Sequence, residues 1–169
     1  MGFFDWLFGQ PKPEYPVIPS MMAQVHKDTI LKGKLPSIAT NEIFLQKGEI
    51  CYYSDNCRLM NEKVVKDYIS KHYGHSGPGL FKGTHWASGF SKRVEVGQHV
   101  EKEFFDGTLF VTNKRTIFLH NSTGFDKRHT SITAIKPYSN AIEMQYGTKF
   151  YCIFVPDGYL LNDLFEMLH

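Results

Sequence analysis

From about Leu45 to Val155 the chain is a succession of short runs rich in β-branched and aromatic residues, separated by Gly, Asn and Ser. This pattern is typical of a small antiparallel barrel or sandwich, because each run can form one strand and each polar break one turn. The sequence therefore predicts a mainly-β (α+β) domain. The predicted strands are Glu49–Ser54, Arg58–Val65, Phe81–Ala87, Thr108–Thr112, Thr116–His120, Thr130–Ile135, Ala141–Tyr146 and Phe150–Val155.

The stretch "GTLFVTNKRTIFLH", residues 107–120, has the clearest pattern and predicts a hairpin that is apolar on both faces. In one register Leu109 pairs with Leu119, and three residues close the turn. A shift by one residue leaves a two-residue loop, Asn113-Lys114, which suits Asn at positive φ. Both registers remain open, and both place Lys114 and Arg115 at or beside an exposed turn.

A helix is predicted on each side of the strands. Before them Ser20 can act as an N-cap, and Met22, Val25, His26 and Ile30 recur at helical spacing until "KGK" at residues 32–34 ends the pattern. After Pro156, Asp157 can cap a last helix, which should cover an open end of the sheet. The apolar stripe of that helix consists of Leu160, Leu161, Leu164, Phe165 and Leu168.

The first 19 residues join an aromatic tip, "MGFFDWLFG", to the Pro-rich tether "QPKPEYPVIP". A helix this short is unstable alone in water, so the tip must bury its aromatic side chains against its own domain or another copy, a partner protein, or lipid. The side chains concerned are Phe3, Phe4, Trp6, Leu7 and Phe8. We divide the chain into the tip and tether (1–19), the helix and connector (20–44) and the β domain (45–169).

Composition narrows the classes of function. The chain has 169 residues with 19 Lys and Arg against 17 Asp and Glu, a balance too even for a dedicated nucleic-acid binder. Three cysteines without CxxC spacing indicate reduced thiols, and no apolar run reaches the roughly 18 to 20 residues that span a bilayer. We therefore expect a cytoplasmic protein that is at most peripheral on the inner membrane face.

The segment "KHYGHSGPGLFKGTHWASG" is the best place to look for chemistry, because its glycines could bring backbone amides close to a phosphate. It lacks the spacing of a P-loop, since Lys82 precedes Gly83. The histidines, His72, His75 and His85, lack a fourth ligand for zinc. No nucleophile with a base and an orienting group is evident. The sequence predicts no enzyme, no metal and no cofactor, and a mobile or hairpin loop within residues 67–98.

In order along the chain, "LQKGEICYYSDNCRLMNEK", "FKGTHWASG", "GTLFVTNKRTIFLH", "ITAIKPYSNAIEMQYG" and "YCIFV", followed by a helix, resemble a bacterial pleckstrin-homology or GRAM-like domain. The resemblance covers about residues 45–169. It implies a PH-like split barrel of about seven antiparallel strands with a C-terminal capping helix, preceded by a short N-terminal helix. It also implies a binding role, since that fold chiefly serves as a platform for peptides, proteins or lipid headgroups.

From these observations we expect a binding or adaptor module whose partner is a protein or peptide. The alternatives are a peripheral adaptor that meets anionic membranes through residues 1–9 and the region of Lys82, Lys92 and Arg93, and a homo-oligomeric, domain-swapped scaffold. No nucleic acid is expected as a partner. The candidate binding residues are Lys82, His85, Trp86, Lys92, Arg93, Lys114 and Arg115.

Overall fold

The structure, a computed structural model, describes residues 17–78, 82–83 and 85–169; for residues 75–78 and 85–88 it describes the backbone only. Its helices are α1, Gln24–Leu31, and α2, Gly158–Leu168. Its strands are β1, Cys51–Pro78; β2, His85–Thr112; β3, Arg115–Leu119; β4, Gly124–Arg128; β5, Ile132–Tyr138; β6, Ala141–Tyr146; and β7, Lys149–Phe154. Within these residues neither helix is long and apolar enough to cross a bilayer.

The strands form one antiparallel sheet in the order β4-β3-β2-β1-β7-β6-β5. In the described ranges β4 and β5 each pair on one side only, so the sheet is not closed into a barrel. The predicted mainly-β class is confirmed, with seven antiparallel strands, a C-terminal helix and a short N-terminal helix.

Two strands, β1 and β2, are far longer than the sequence pattern indicated, at 28 residues each. The prediction of two separate strands on either side of "SDN" at residues 54–56 is wrong, because β1 runs through these residues without a break. Cys51 and Cys57 therefore lie on one strand. Most of the segment predicted as a loop, 67–98, also belongs to β1 and β2.

The chain comprises two compact units. The first contains residues 1–60 and 104–169, and within it the described sheet and helices enclose the hydrophobic core. The second contains Asn61–Glu103 and consists of the parts of β1 and β2 nearest to their connecting turn. We call this second unit the hairpin arm.

The hairpin of β2 and β3 takes the two-residue loop, since Leu109 pairs with Phe118 and Val111 with Thr116. No residue other than glycine has positive φ in the described chain, so Asn113 does not adopt the conformation expected of it. Asn113 instead binds the preceding segment: its side chain accepts from the Ile50 amide at 3.0 Å and donates to the Gly48 carbonyl at 3.0 Å. This tertiary contact fixes the register.

The main core lies where the sheet meets α2, which packs against β5 and β6. Asp157 caps this helix as predicted, accepting from the amides of Tyr159 and Leu160 at 3.0 Å each. Burial of such apolar side chains contributes about 1.5 to 3 kcal/mol each. The helix residues Leu160, Leu161, Leu164 and Phe165 are buried, and Leu168 is half-buried against the same core.

A smaller cluster covers the other face of the hairpin, where Phe110 and Ile117 are buried with Cys51. The connector after α1 supplies the side chains that pack on it, Ile38, Ile43 and Leu45. Strand β4 was not predicted, because only Phe125 in its sequence is apolar and its alternate residues are exposed. Its pairing with β3 along Gly124–Arg128 defines it instead.

The segment before α1 is held by a buried carboxylate on β1. Asp55 accepts from the Ser20 hydroxyl and from the Met21 amide at 2.6 Å, and Asn56 donates to the Pro19 carbonyl at 2.9 Å. Ser20 is therefore not the N-cap of α1, which begins at Gln24 without a side-chain cap. Because Asp55 has these donors, a polar residue is accommodated inside an otherwise apolar strand face.

Candidate binding site

The hairpin arm carries most of the residues that the sequence put forward for binding. None of its described side chains is buried, and only Val65 and Val94 are as much as half-buried. A two-stranded ribbon without a third strand has no core of its own and is marginally stable in water. The described part of the arm is therefore a long exposed ribbon without a hydrophobic core of its own.

Apolar side chains are exposed along the whole arm. Phe90 is 67% exposed although it stacks on Tyr73, with ring centroids 5.4 Å apart. Outside the arm, β1 pairs with β7 over Arg58–Met60 and β2 pairs with β3 from Thr108 onward. In the described part of the arm no third strand pairs with either edge. The other half-exposed apolar side chains of the arm are Val64, Tyr68, Ile69, Val96 and Val100.

Charge is unevenly distributed along the arm. The 27 residues from Tyr68 to Val94, which we call the turn half, contain no Asp or Glu. The rest of the arm, residues 61–67 and 95–103, we call the base half. The turn half carries the cations Lys71, Lys82, Lys92 and Arg93, whereas the base half carries the acids Glu62, Asp67, Glu95, Glu101 and Glu103 with the cations Lys63, Lys66 and Lys102.

The predicted residues Lys82, Lys92 and Arg93 are exposed in the turn half. In the described chain none of them forms an ion pair with a carboxylate. His85 and Trp86 lie on β2, and the structure describes only their backbone. The structure thus places all of these predicted residues on one hairpin.

Two other groups of predicted residues lie elsewhere. Phe3, Phe4, Trp6, Leu7 and Phe8 lie outside the described residues. Lys114 is at the β2–β3 turn, where its ammonium group donates to the Lys47 carbonyl at 2.8 Å. Lys114 and Arg115 belong to the first compact unit and not to the hairpin arm.

Arg115 is the centre of an ionic network in which the Glu49 side chain is buried and that of Asp126 is half exposed. Its guanidinium donates to Glu49 at 2.7 and 3.1 Å, to the Phe44 carbonyl at 2.7 Å and to Asp126. Glu49 also accepts from the Thr112 hydroxyl at 2.8 Å and the Gln46 amide at 2.7 Å. The guanidinium is therefore occupied by internal partners, which gives Arg115 a structural role.

The pKa of Glu49 reflects this network. Burial alone would raise it, but the hydrogen bonds from Arg115, Gln46 and Thr112 together with the charge of Arg115 lower the pKa from 4.5 to about 2. The carboxylate is thus charged at every physiological pH. It ties the segment before β1 to the β2–β3 hairpin.

The cysteines and histidines that could carry chemistry lie in the core or on the surface. Burial raises the pKa of the Cys51 thiol to about 11 and that of Cys57 further, so both thiols are protonated at neutral pH. His72 is exposed on β1. Among the residues the structure describes, no cluster of His, Cys, Asp and Glu is arranged to hold a metal ion.

The first unit also has a concave surface with a cavity of about 400 Å³. It lies where the segment before α1 crosses β1 and β2, and the Arg58–Asp106 ion pair lines it. Gly107 also lines it, and a Cβ there would come within 2.3 Å of the Leu119 carbonyl. Since this ion pair already occupies its charged groups, the cavity offers less for recognition than the arm does.

Comparisons with known proteins add no further assignment: no family model, curated protein or solved structure matches the chain. A proposal for its function therefore rests on the contacts, exposure and charge of its own residues.

Sequence analysis missed that the candidate residues share one long hairpin. The available signal was the absence of acids from residues 68–94 in a chain that contains 17 of them. A second signal was the alternation of apolar with polar residues at Val94, Val96 and Val100, which is compatible with a strand. The glycines of this segment suggested a loop instead.

Proposed function

We propose that the protein is a non-enzymatic binding module of the PH-like class that binds a protein or peptide partner through its hairpin arm. The observation that carries the proposal is the arm itself, in whose described part apolar side chains are exposed beside strand edges that no third strand pairs. An edge strand presents unpaired amide and carbonyl groups, which is a template for an incoming extended segment. The number of strands and the C-terminal helix support the PH-like class.

Strand addition explains why exposed apolar side chains alternate with exposed polar ones along the arm. Backbone hydrogen bonds from the edge would supply affinity for any extended peptide. Side chains such as Val96 and Val100, four residues apart on one face of β2, would select apolar residues at the same spacing in that peptide. Exposed polar neighbours keep the free arm from associating without selectivity.

The test uses the full chain and peptides selected against it from a random peptide display library. We compare Val64→Ser, Val96→Ser and Val100→Ser combined on the arm with Val17→Ser, Val25→Ser and Leu31→Ser combined on the first unit. All six side chains are more than half exposed, so both variants should fold. We expect the arm variant to weaken peptide binding by about tenfold or more, as loss of interface anchors does.

The matched control should bind within about twofold of the wild type, because exposed substitutions away from an interface are close to neutral. If no peptide is selected, or if both variants bind the selected peptides equally well, the arm is not the protein-binding element. Isothermal titration measures both affinities directly.

A second candidate function is contact with an anionic membrane. The observation that favours it is the turn half, where four cations without any acid accompany the exposed Tyr73–Phe90 pair. Cations near an anionic surface contribute about 1 kcal/mol each. We expect flotation with phosphatidylserine vesicles at low salt and its loss at high salt; equal flotation with pure phosphatidylcholine vesicles would contradict this candidate.

A further inference from the structure

We infer that the partner of the hairpin arm is an acidic, extended segment of a protein, which places a carboxylate between Lys71 and Lys92 beside the Tyr73–Phe90 pair. This inference rests on the proposed function, since it takes peptide binding by the arm as given, and it adds the chemistry of the partner. Its basis is the position of these two lysines across the arm from each other, in a stretch of the chain that contains no acid.

Two contacts align the strands of the turn half. Tyr73 of β1 stacks on Phe90 of β2, with ring centroids 5.4 Å apart. A Cβ on Gly89 would lie 3.6 Å from the Cα of Gly74, so these two residues also lie across from each other. In an antiparallel pair, the residues two positions further from the turn on each strand are again neighbours, on the same face as the aromatic rings. These residues are Lys71 and Lys92.

The two lysines face each other without a counter-ion. Lys71 and Lys92 are both exposed, and neither forms an ion pair with a carboxylate of the described chain. The acids nearest to them along the strands, Asp67 and Glu95, have other partners within the arm. Like charges that lie across from each other on one face of a sheet destabilise the pairing of its strands. A carboxylate between the two ammonium groups removes this repulsion and is attracted to both of them.

The aromatic pair beside these lysines suits a peptide that also carries apolar side chains. Tyr73 is 46% exposed and Phe90 67% exposed, so a large part of both rings remains accessible although they stack on each other. Covering them supplies affinity, and the lysines select for negative charge. Arg93 is also exposed and follows Lys92 on β2, so it points to the opposite face. A strand added along this edge therefore meets a cation on each of its two faces.

The base half of the arm limits where the acids of the partner can lie. Acids outnumber cations in the base half, so further carboxylates of a partner would be repelled there. The exposed side chains of β2 in this half include Val96 and Val100. The partner that fits both halves has acidic residues where it lies beside the turn half and apolar residues where it lies beside the base half.

A nucleic acid or an anionic bilayer fits the arm less well. Either would be attracted to the cations of the turn half, but a nucleic acid that continued along the arm would meet the acids of the base half. The edges of the described part of the arm alternate amide donors with carbonyl acceptors. An extended peptide matches this alternation, whereas a phosphodiester backbone or a layer of lipid headgroups does not. The observations therefore favour a carboxylate of a peptide over a phosphate.

The experiment uses the full chain and the peptides selected against it from the random display library, each synthesised in two forms. One form has the selected sequence, and the neutral form has Asn or Gln in place of every Asp or Glu. The arm variant combines Lys71→Gln with Lys92→Gln. The control combines Lys32→Gln with Lys34→Gln, two exposed lysines of the first unit. Isothermal titration measures each affinity, and circular dichroism checks that each variant is folded.

We expect the selected peptides to contain Asp or Glu, and their neutral forms to bind the wild type about fivefold more weakly or worse. The arm variant should lose most of this difference between the two forms, whereas the control should keep it and bind within about twofold of the wild type. A variant with Lys71→Glu and Lys92→Glu should prefer peptides in which Lys replaces the acids. A purely structural role of the two lysines would not produce that reversal.

Selected peptides without acids, or acidic peptides that bind the wild type and the arm variant equally well, would overturn the inference and leave the proposed function standing. If no peptide is selected, the proposed function fails and the inference fails with it. If phosphatidylserine vesicles or a single-stranded oligonucleotide bind the wild type but not the arm variant, while peptides bind both equally, the lysines serve a phosphate ligand and the inference is wrong.

Discussion

Glu49→Gln is expected to lower the free energy of unfolding by about 3 kcal/mol or more, because it leaves a largely buried guanidinium without its principal counter-ion. Glu49 accepts two hydrogen bonds from Arg115 and one each from Thr112 and Gln46. A neutral amide keeps the size of the side chain but offers one oxygen in place of two. Urea unfolding, followed by circular dichroism, measures the change.

The matched control is Glu42→Gln, which removes the same charge from an exposed side chain of the same segment. This control should change the free energy of unfolding by less than about 0.5 kcal/mol. A Glu49→Gln protein as stable as the control would show that the network around Arg115 contributes nothing to folding.

The shifted pKa of Glu49 also predicts how the free energy of unfolding depends on pH. The pKa of Glu49 is about 2 in the folded protein and 4.5 ordinarily, so the folded state binds the proton less readily. Its contribution is complete above pH 4.5 and is lost as the pH falls toward 2. We expect the difference in stability between wild type and Glu49→Gln to shrink over that range. A difference in stability that stays constant would show that the substitution does not act through the charge of Glu49.

Gly158→Ala is expected to destabilise the protein by about 3 kcal/mol or more, because a side chain at the start of α2 would overlap fixed backbone. A Cβ at this position would lie 2.1 Å from the Ala141 carbonyl oxygen and 2.2 Å from that of Tyr138. Helix propensity alone predicts the opposite sign, since Ala is favoured over Gly by about 1 kcal/mol. Thermal and urea unfolding decide between the two expectations.

Gly97→Ala on the hairpin arm is the matched control. The nearest atom to a Cβ there is an Asp67 carboxylate oxygen at 3.8 Å, an ordinary contact, and Gly97 does not have positive φ. We expect a neutral or slightly favourable change, since a side chain restricts the unfolded chain and strengthens a strand. Equal stability of the two variants would mean that α2 can move away from β6 at little cost.

Much of the first unit could be predicted from local pattern. Strand β6 was predicted with its exact bounds, Ala141–Tyr146, and the cap at Asp157 was found from a polar residue before an apolar stripe. The hairpin of β2 and β3 was predicted with two registers. Alternation could not distinguish them, because both faces of this hairpin are apolar and each register buries the same residue types.

Less of the candidate site could be predicted from local sequence pattern. Its cations, Lys82, Lys92 and Arg93, were identified, but Lys82 was predicted on a short strand and lies in the turn, and most of the two long strands beside that turn was predicted as a glycine-rich loop. Local propensity disfavours strand at Gly and Pro, and the arm contains both. Pairing between β1 and β2 outweighs that preference, since each residue added to the ladder is held by its partner across the hairpin.

The sequence by itself determined the mainly-β class, the cap and buried stripe of α2, and the charge of the turn half, because these depend on residues close together in the chain. Only the tertiary structure decided the roles of Asp55, Asn113 and Arg115. Asp55 appeared to break a strand and lies buried within one, and Arg115 appeared to be a surface cation and is held by Glu49, 66 residues earlier. The cost of burying a charge is offset only by its partners, and no local pattern shows which distant residues these are.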